Sequence, residues 1–271
     1  MRVALLSDVH GNLPALDAAL AVCRDERVDR YVSAGDVVGY GPHPSECIDR
    51  IREIGAVAVA GNHEMYVLGR LPPSRFSARA HTSLTWTQTA IGPERTEWLL
   101  TLPDRISFGP VVVAHASLDG VDEYVIRPRQ ASRQLGLLAN LFPEAGILVL
   151  GHTHQPLFRR EGGPSRTMSR GGTRASSSRR NLINPGSIGQ SRQWERVPRA
   201  RFALLDLADR SIRWFAVDYD RSTVLRDLAA VGLPADSIHV CPSARRAFSR
   251  RIRAQTDLSV RSVLRAGRPS P

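Results

Sequence analysis

The sequence predicts an α/β fold in which helices cover both faces of a β-sheet. Short runs of β-branched and small apolar residues alternate with amphipathic helical patterns over the first 150 residues, as expected for layered strands and helices. Five of these apolar runs end in Asp, Asn or His. In an open α/β sheet the carboxyl ends of the strands are where ligands bind. The polar residues at these ends therefore support the α/β assignment made from the alternating pattern.

The elements of the first half can be assigned in order. An amphipathic helix is predicted at 13–26 (LPALDAALAVCRDE), and a second at 44–55 (PSECIDRIREIG), closed by a glycine. The predicted strands of this half are 3–7, 30–35, 56–61, 111–117 and 147–154. We expect helical stretches between the later strands as well.

The pattern changes after residue 155. Residues 159–180 are rich in Gly, Ser and Arg and predict a flexible hairpin or loop. Paired strands at 201–207 and 211–219 and a final helix at 222–232 follow. We therefore expect one domain at 1–233 and a basic, partly disordered C-terminal tail at 234–271.

The formal net charge of +11 comes from arginine alone, because the chain contains no lysine. Residues 159–180 hold seven Arg and one acid, and residues 245–271 hold eight Arg and one acid. Most of the excess positive charge therefore lies outside the predicted strands and helices. This distribution favours at most a weak attraction for polyanions. The longest apolar runs fall well short of the roughly 20 residues of a membrane helix. The first apolar run is also too short for a secretion signal, and a cytoplasmic protein is expected.

The polar residues at the strand ends form a candidate metal centre. Five of the eight histidines lie at these ends. The residues concerned are Asp8, His10, Asp36, Asn62, His63, Glu64, His115, His152 and His154. The two-residue spacing of Asp8 and His10, and of His152 and His154, puts each pair on one side of an extended backbone.

Imidazole, carboxylate and amide ligands without thiolate suit Mn²⁺, Fe, Zn²⁺ or Ni²⁺. Seven of the nine residues are candidate ligands. This number is too large for one catalytic ion, because such an ion keeps an open position, but it suits two ions that share a carboxylate. Such a pair clamps the attacking and leaving oxygens of a displacement at phosphorus and makes a hydroxide available near neutral pH. The residues alone therefore indicate a dinuclear hydrolase.

The series DxH, GDxxG, GNHE, a strand-end His and GHTH resembles the calcineurin-like metallophosphoesterase superfamily. The GYGPxPxEC and INPGSIGQSR stretches resemble its compact bacterial phosphodiesterase branch. The resemblance covers about residues 1–230 and implies a four-layer αββα sandwich of two mixed β-sheets, with the metals at the sheet edges. It implies that Asp8, His10 and His154 hold one ion, that Asn62, His115 and His152 hold the other, and that Asp36 bridges them.

The resemblance also implies roles around the scissile phosphate. His63 would protonate the leaving alkoxide, and Glu64 would orient His63. Asn12 would belong to a tight turn near the substrate. His43 is a candidate substrate contact, with a surface position at a helix start as the alternative. Arg192 is a candidate phosphate contact, with an ordinary surface arginine as the alternative.

The leading hypothesis is that the protein hydrolyses small phosphate esters, most readily diesters. The reaction would need two divalent transition-metal ions, and Mn²⁺ is the favoured metal. Phosphomonoesters, dinucleoside polyphosphates and cyclic nucleotides are alternative substrates. A non-catalytic scaffold of the same fold is less favoured, because His63 and all seven ligands are present. Nucleic-acid binding through the basic tail is also less favoured, because aromatic residues are only 6% of the chain and stacking platforms are therefore scarce. The sequence leaves the oligomeric state open.

Overall fold

The computed structural model describes residues 1–241. The strands are β1 (Arg2–Leu6), β2 (Arg30–Ser33), β3 (Val57–Ala58), β4 (Arg105–Phe108), β5 (Val111–Ala114), β6 (Ile147–Leu150), β7 (Leu157–Arg160), β8 (Ser165–Thr167), β9 (Gly171–Arg174), β10 (Asn181–Asn184), β11 (Ala200–Asp206) and β12 (Ser211–Val217). The α-helices are α1 (Leu13–Asp25), α2 (Pro44–Glu53), α3 (Asn62–Val67), α4 (Ala78–Ala90), α5 (Gly92–Leu100), α6 (Pro128–Leu141) and α7 (Arg221–Ala230), with short 3₁₀ helices at Pro73–Arg75 and Ala235–Ile238. None of these helices of the described segment is both long and apolar enough to cross a membrane.

The strands form two six-stranded mixed sheets. The first has the order β3-β2-β1-β11-β12-β9, and the second has the order β4-β5-β6-β10-β7-β8. Strand β1 is parallel to β2 and antiparallel to β11, and β5 is parallel to β6 and antiparallel to β4. The parallel pairs β1–β2 and β5–β6 lie next to helices, as is usual for parallel strands, and β3, which is parallel to β2, forms one edge of the first sheet.

Alternation along the strands creates three apolar layers. In β1, Val3 and Leu5 belong to the core between the sheets, whereas Ala4 and Leu6 belong to the core beneath α1 and α2. The outer face of the second sheet packs against α6 through a third core that includes Leu138. Successive strand residues point to opposite faces of a sheet, so each of these strands contributes to two cores. The expected αββα sandwich of two mixed sheets is confirmed.

The Gly-, Ser- and Arg-rich segment 159–180, predicted as a flexible hairpin or loop, contains a hairpin. Strand β8 pairs antiparallel with β7 at the edge of the second sheet, and β9 pairs with β12 at the edge of the first. Met168 and Ala175 in the same segment are buried between the sheets. The composition did not reveal the pairing of β9 with the other sheet, because backbone hydrogen bonds to an existing sheet edge require few apolar side chains.

The ordered body also extends beyond the expected boundary at residue 233. Ile238, in the second 3₁₀ helix, is buried against α7. The Ser191 backbone N–H donates to the Ile238 carbonyl at 3.0 Å, and the Val240 N–H donates to the Ser191 carbonyl at 2.9 Å. The rest of the basic tail expected at 234–271 lies outside the described residues.

Candidate metal centre and substrate cleft

The turns that follow the central strands of both sheets meet at one end of the sandwich. The His115 ring, after β5, places Nδ1 2.7 Å from the carbonyl oxygen of Ala34 at the end of β2. The His152 backbone N–H, after β6, donates to the Asp8 carboxylate at 3.1 Å. Asn62 is the first residue of α3, and the other six proposed ligands lie in these turns. All seven are buried: Asp8, His10, Asp36, Asn62, His115, His152 and His154.

Left-handed backbone conformations, rather than an extended chain, aim these side chains. Positive φ angles near 50–60° occur at Asp8, His10, Asp36, His152 and His154. Such angles are uncommon outside glycine and cost of order 1–3 kcal/mol each. The DxH spacing brings the Asp8 and His10 side chains within 3.8 Å of each other, whereas His152 and His154 belong to different groups of donor atoms. The expectation of an extended backbone at these pairs was wrong. Strands β1 and β6 end two residues before Asp8 and His152.

One cluster consists of Asp8, His10 and His154. The Nε2 atoms of the two histidines are 3.1 Å apart. The Asp8 Oδ1 atom lies 3.3 Å from His154 Nε2 and 3.8 Å from His10 Nε2. These three donor atoms lie close enough together to hold a single metal ion.

A second cluster consists of Asp36, His115 and His152, whose donor atoms also lie within 4.8 Å of one another. His115 Nε2 is 3.3 Å from Asp36 Oδ2 and 3.1 Å from the Asn62 side-chain oxygen. The same Asp36 Oδ2 atom is 3.8 Å from His10 Nε2 in the first cluster. Asp36 thus lies between the two clusters.

Backbone carbonyl groups fix the orientation of three imidazole rings. In each ring Nδ1 lies 2.7–3.1 Å from a carbonyl oxygen: His10 from Val38, His115 from Ala34 and His154 from Gln190. A carbonyl only accepts, so the Nδ1 proton is held there and Nε2 is left to bind a metal. All three Nε2 atoms point into the clusters.

The electrostatics of the centre suit a cation. Burial opposes ionisation of Asp8 and Asp36, but neighbouring histidines hold both carboxyl pKa values well below the usual range. Burial lowers the pKa values of His10 and His154. At neutral pH these four side chains therefore need to lose no proton before binding a metal.

His115 differs from the other histidines of the centre. Burial opposes its charge, but Asp36 raises its pKa to about 9. A metal and a proton therefore compete for its Nε2. The donor set as a whole, imidazole nitrogens and carboxylate and amide oxygens without a thiolate, fits divalent transition ions such as Mn²⁺, Fe, Zn²⁺ or Ni²⁺.

His63 lies beside the clusters, in the first turn of α3. Its Nδ1 is 3.2 Å from the Val38 carbonyl oxygen, and its Nε2 is 3.8 Å from Asp36 Oδ2. Burial lowers its pKa to about 4, against the opposing influence of Asp36. Its ring also lines an open cleft next to the clusters.

Glu64 does not orient His63 directly, contrary to the expectation from the sequence. Within residues 1–241 its two carboxylate oxygens accept four backbone N–H groups, from Gly61, Asp36, Val37 and Val38, at 2.7–3.2 Å. Val38 in turn accepts hydrogen bonds from both His10 and His63 through its carbonyl oxygen. Glu64 therefore holds the loop that orients these two rings.

Asn12 and His43, two of the three candidate substrate contacts, make hydrogen bonds within the protein. Asn12 is fully buried and caps α1, accepting from the Ala15 N–H at 3.2 Å, while its amide donates to the Gly189 carbonyl at 3.0 Å. His43 is the N-cap residue of α2, the helix-start position named as its alternative, and its Nε2 lies 2.9 Å from Asp227 on α7.

Arg192 does lie at the cleft, together with residues that the sequence analysis did not single out. The cleft has a volume of about 410 Å³, and its walls include Tyr40, His63, Arg75, Arg79, Tyr124 and Arg192. In a chain with 37 arginines, Arg75 and Arg79 do not stand out. Only the fold places these two in the cleft beside Arg192.

Comparisons with known proteins agree with this geometry. A family model described as the calcineurin-like phosphoesterase superfamily domain matches residues 1–210. An uncharacterized protein of Methanocaldococcus jannaschii is 29% identical over 238 residues, covering 86% of this chain and 93% of the relative. A symmetrical bis(5'-nucleosyl)-tetraphosphatase of Aromatoleum aromaticum is 31% identical over 124 residues, covering 44% of this chain and 45% of the relative.

A solved metallophosphoesterase from Sphaerobacter thermophilus is 32% identical, with a TM-score of 0.75, and the match covers 88% of this chain and 97% of that one. The structural match thus covers most of the chain, and the residues of both clusters fall within the range matched by the family model. By its sequence and by its fold, the chain belongs to the calcineurin-like phosphoesterase superfamily, a family of metal-dependent phosphoesterases.

Proposed function

We propose that the protein hydrolyses phosphate esters, most readily phosphodiesters, at a centre of two divalent transition-metal ions. The observation that carries the proposal is the position of Asp36 between two clusters of donor atoms. Asp8, His10 and His154 would hold one ion, Asn62, His115 and His152 would hold the other, and Asp36 would bridge them. Mn²⁺ is the ion we would supply first.

When bound, two such ions would polarise the phosphoryl group and lower the pKa of the attacking water. The remaining work falls to side chains of the cleft. Their task is to bind the ester in one orientation and to supply a proton to the leaving oxygen.

His63 is the proposed general acid. The Val38 carbonyl holds the proton on Nδ1, so Nε2 is the nitrogen that faces Asp36 and the centre. Burial keeps the free ring neutral at pH 7, but a phosphate anion bound beside it favours the protonated form. The imidazolium would then donate the Nε2 proton to the leaving alkoxide.

Arg192 is the proposed phosphate-binding side chain. Within residues 1–241, its Nε donates to the Gln190 side-chain oxygen at 3.0 Å and its Nη1 donates to the Tyr124 hydroxyl at 3.3 Å. Both acceptors are neutral, so they orient the guanidinium group without cancelling its charge. A guanidinium group oriented in this way is suited to bidentate binding of phosphate oxygens.

Dinucleoside polyphosphates are the second candidate substrates. Arg75 and Arg79 line the same cleft as Arg192. Each is ion-paired, Arg75 with Asp122 and Arg79 with Asp236, so further phosphates of the substrate would have to compete with these carboxylates. The tetraphosphatase relative supports this alternative over its matched region.

The proposal is tested by hydrolysis of bis(p-nitrophenyl) phosphate and p-nitrophenyl phosphate by metal-stripped protein with and without added Mn²⁺. We expect Mn²⁺-dependent turnover, faster on the diester, and a loss of about 10²–10⁴-fold in His63→Ala. His81→Ala is the matched control, because His81 is exposed and lies in α4, and it should retain activity. Turnover that is independent of Mn²⁺, or equal in His63→Ala and wild type, would refute the proposal.

A further inference from the structure

The aromatic ring of Tyr124 lies beside the centre, and the proposed chemistry uses only its hydroxyl group. Tyr124 is 45% exposed and lines the cleft. Its ring centroid lies 4.1 Å from that of His152, with the planes tilted by 41°. One side of the tyrosine ring is therefore covered by a candidate metal ligand, while nearly half of the residue faces solvent.

The ring is also held in place. Its hydroxyl oxygen accepts a hydrogen bond from Arg192 at 3.3 Å. Two residues earlier, Asp122 forms an ion pair with Arg75 at 2.5 Å and contacts the His152 ring through its carbonyl oxygen at 3.2 Å. A large amphipathic side chain that is fixed before a ligand arrives loses little conformational entropy on binding.

We propose that Tyr124 is a stacking platform for the nucleobase of a nucleoside phosphate, while Arg192 beside it binds the phosphate. The inference rests on the proposed function, because a phosphate at the centre is what brings the ester substituent to Tyr124. It narrows the substrate class to nucleotide esters, as opposed to esters of sugars, glycerol or simple alcohols.

The other aromatic side chains of the cleft offer less free surface than Tyr124. Phe76 also lines the cleft, but it is only partly exposed and its ring packs edge-on against the His63 ring at 5.9 Å. Tyr40 is 7% exposed and packs edge-on against the His10 ring at 4.7 Å, so it offers little free surface. Trp194 is 64% exposed but lies outside the cleft lining within the described part of the chain. Tyr124 combines an exposed ring, a fixed orientation and a position at the centre.

The test compares the binding of adenosine 5'-monophosphate and ribose 5-phosphate to the Mn²⁺-loaded full-length protein by titration calorimetry. The two ligands share the phosphate and the sugar and differ in the base. Stacking on one aromatic side chain predicts that wild type binds the nucleotide about 5- to 150-fold more tightly. Tyr124→Leu should reduce this ratio to below about threefold. The variant also loses the hydroxyl group that orients Arg192, so any loss of ribose 5-phosphate binding should equal the loss in Tyr124→Phe.

Two further variants sharpen the result. Tyr124→Phe keeps the ring and loses the hydroxyl group, so the preference for the nucleotide should persist. Trp194→Leu removes an exposed aromatic side chain outside the cleft, and the preference should again persist. Four results would each overturn the inference. In wild type these are equal affinities for the two ligands or no measurable nucleotide binding. In the variants they are an equal loss for both ligands in Tyr124→Leu or a preference abolished by Trp194→Leu.

The outcome is separable from that of the proposed function, because the titration requires no turnover. A preserved preference for the nucleotide without ester hydrolysis would refute catalysis and leave the base site standing. Mn²⁺-dependent hydrolysis together with equal affinities for the nucleotide and ribose 5-phosphate would support catalysis and refute the base site.

Discussion

Replacing Glu64 with Gln tests how the loop of the metal centre is built. Each carboxylate oxygen accepts two backbone N–H groups: Oε2 from Gly61 and Asp36, and Oε1 from Val37 and Val38. A glutamine amide has the same shape, but only one of its two ends can accept. In either orientation its NH₂ group faces two backbone donors.

The expected loss of stability follows from the two backbone N–H groups left without an acceptor. An unsatisfied buried donor costs about 1–3 kcal/mol, so two of them cost about 2–6 kcal/mol. Since typical domains are stable by only about 5–15 kcal/mol, the substitution should lower the free energy of unfolding by a large fraction.

Urea unfolding followed by circular dichroism measures the effect in metal-free protein. The control is Glu94→Gln, because Glu94 forms a solvent-exposed ion pair with Arg52 and exposed pairs contribute little. We expect a much lower unfolding midpoint for Glu64→Gln and almost no change for Glu94→Gln. Equal midpoints for the two variants would refute the account of the loop.

Two further predictions concern the histidines. A Cβ atom at Gly39 would lie 2.1 Å from His63 Nδ1, so Gly39→Ala should lower diester turnover by about 10²-fold or more through displacement of the ring. Gly55→Ala, also at a positive φ but with nothing within 4 Å of the added Cβ, should leave turnover unchanged, and equal effects would contradict this reasoning. In metal-free protein Asp36 raises the pKa of His115 to about 9 against the effect of burial, whereas the unfolded chain releases this proton near pH 6.5. The stability that protonated His115 contributes is therefore complete below pH 6.5 and is lost by about pH 9. Urea unfolding should show this as a fall of about 3 kcal/mol in the free energy of unfolding. An equally steep fall in His115→Gln would contradict the assignment.

The candidate ligands could be predicted from sequence because polar residues that follow parallel strands meet at one end of a sheet. Asp8 and Asp36 follow the parallel strands β1 and β2 of the first sheet, and His115 and His152 follow β5 and β6 of the second. The left-handed turns at Asp8 and His152 could not be predicted, because nothing in the residue types excluded an extended backbone there.

Residues with several polar partners were harder to interpret. Asn12 and Glu64 stand within or beside the motifs, which suggested contact with the substrate or with His63. Their actual partners are backbone groups distant in sequence, such as Gly189 for Asn12, and these partners become visible only in the folded chain. Tyr124 lies in no motif, and only the fold brings it to the cleft.

The central claim is that two ions share Asp36. The most direct test is the number of Mn²⁺ ions bound per chain, measured by equilibrium dialysis and elemental analysis for wild type, His63→Ala and Asp36→Ala. The account predicts two ions in wild type and in His63→Ala, and loss of tight binding in Asp36→Ala. Two tightly held ions in Asp36→Ala, or a single ion in wild type, would contradict it.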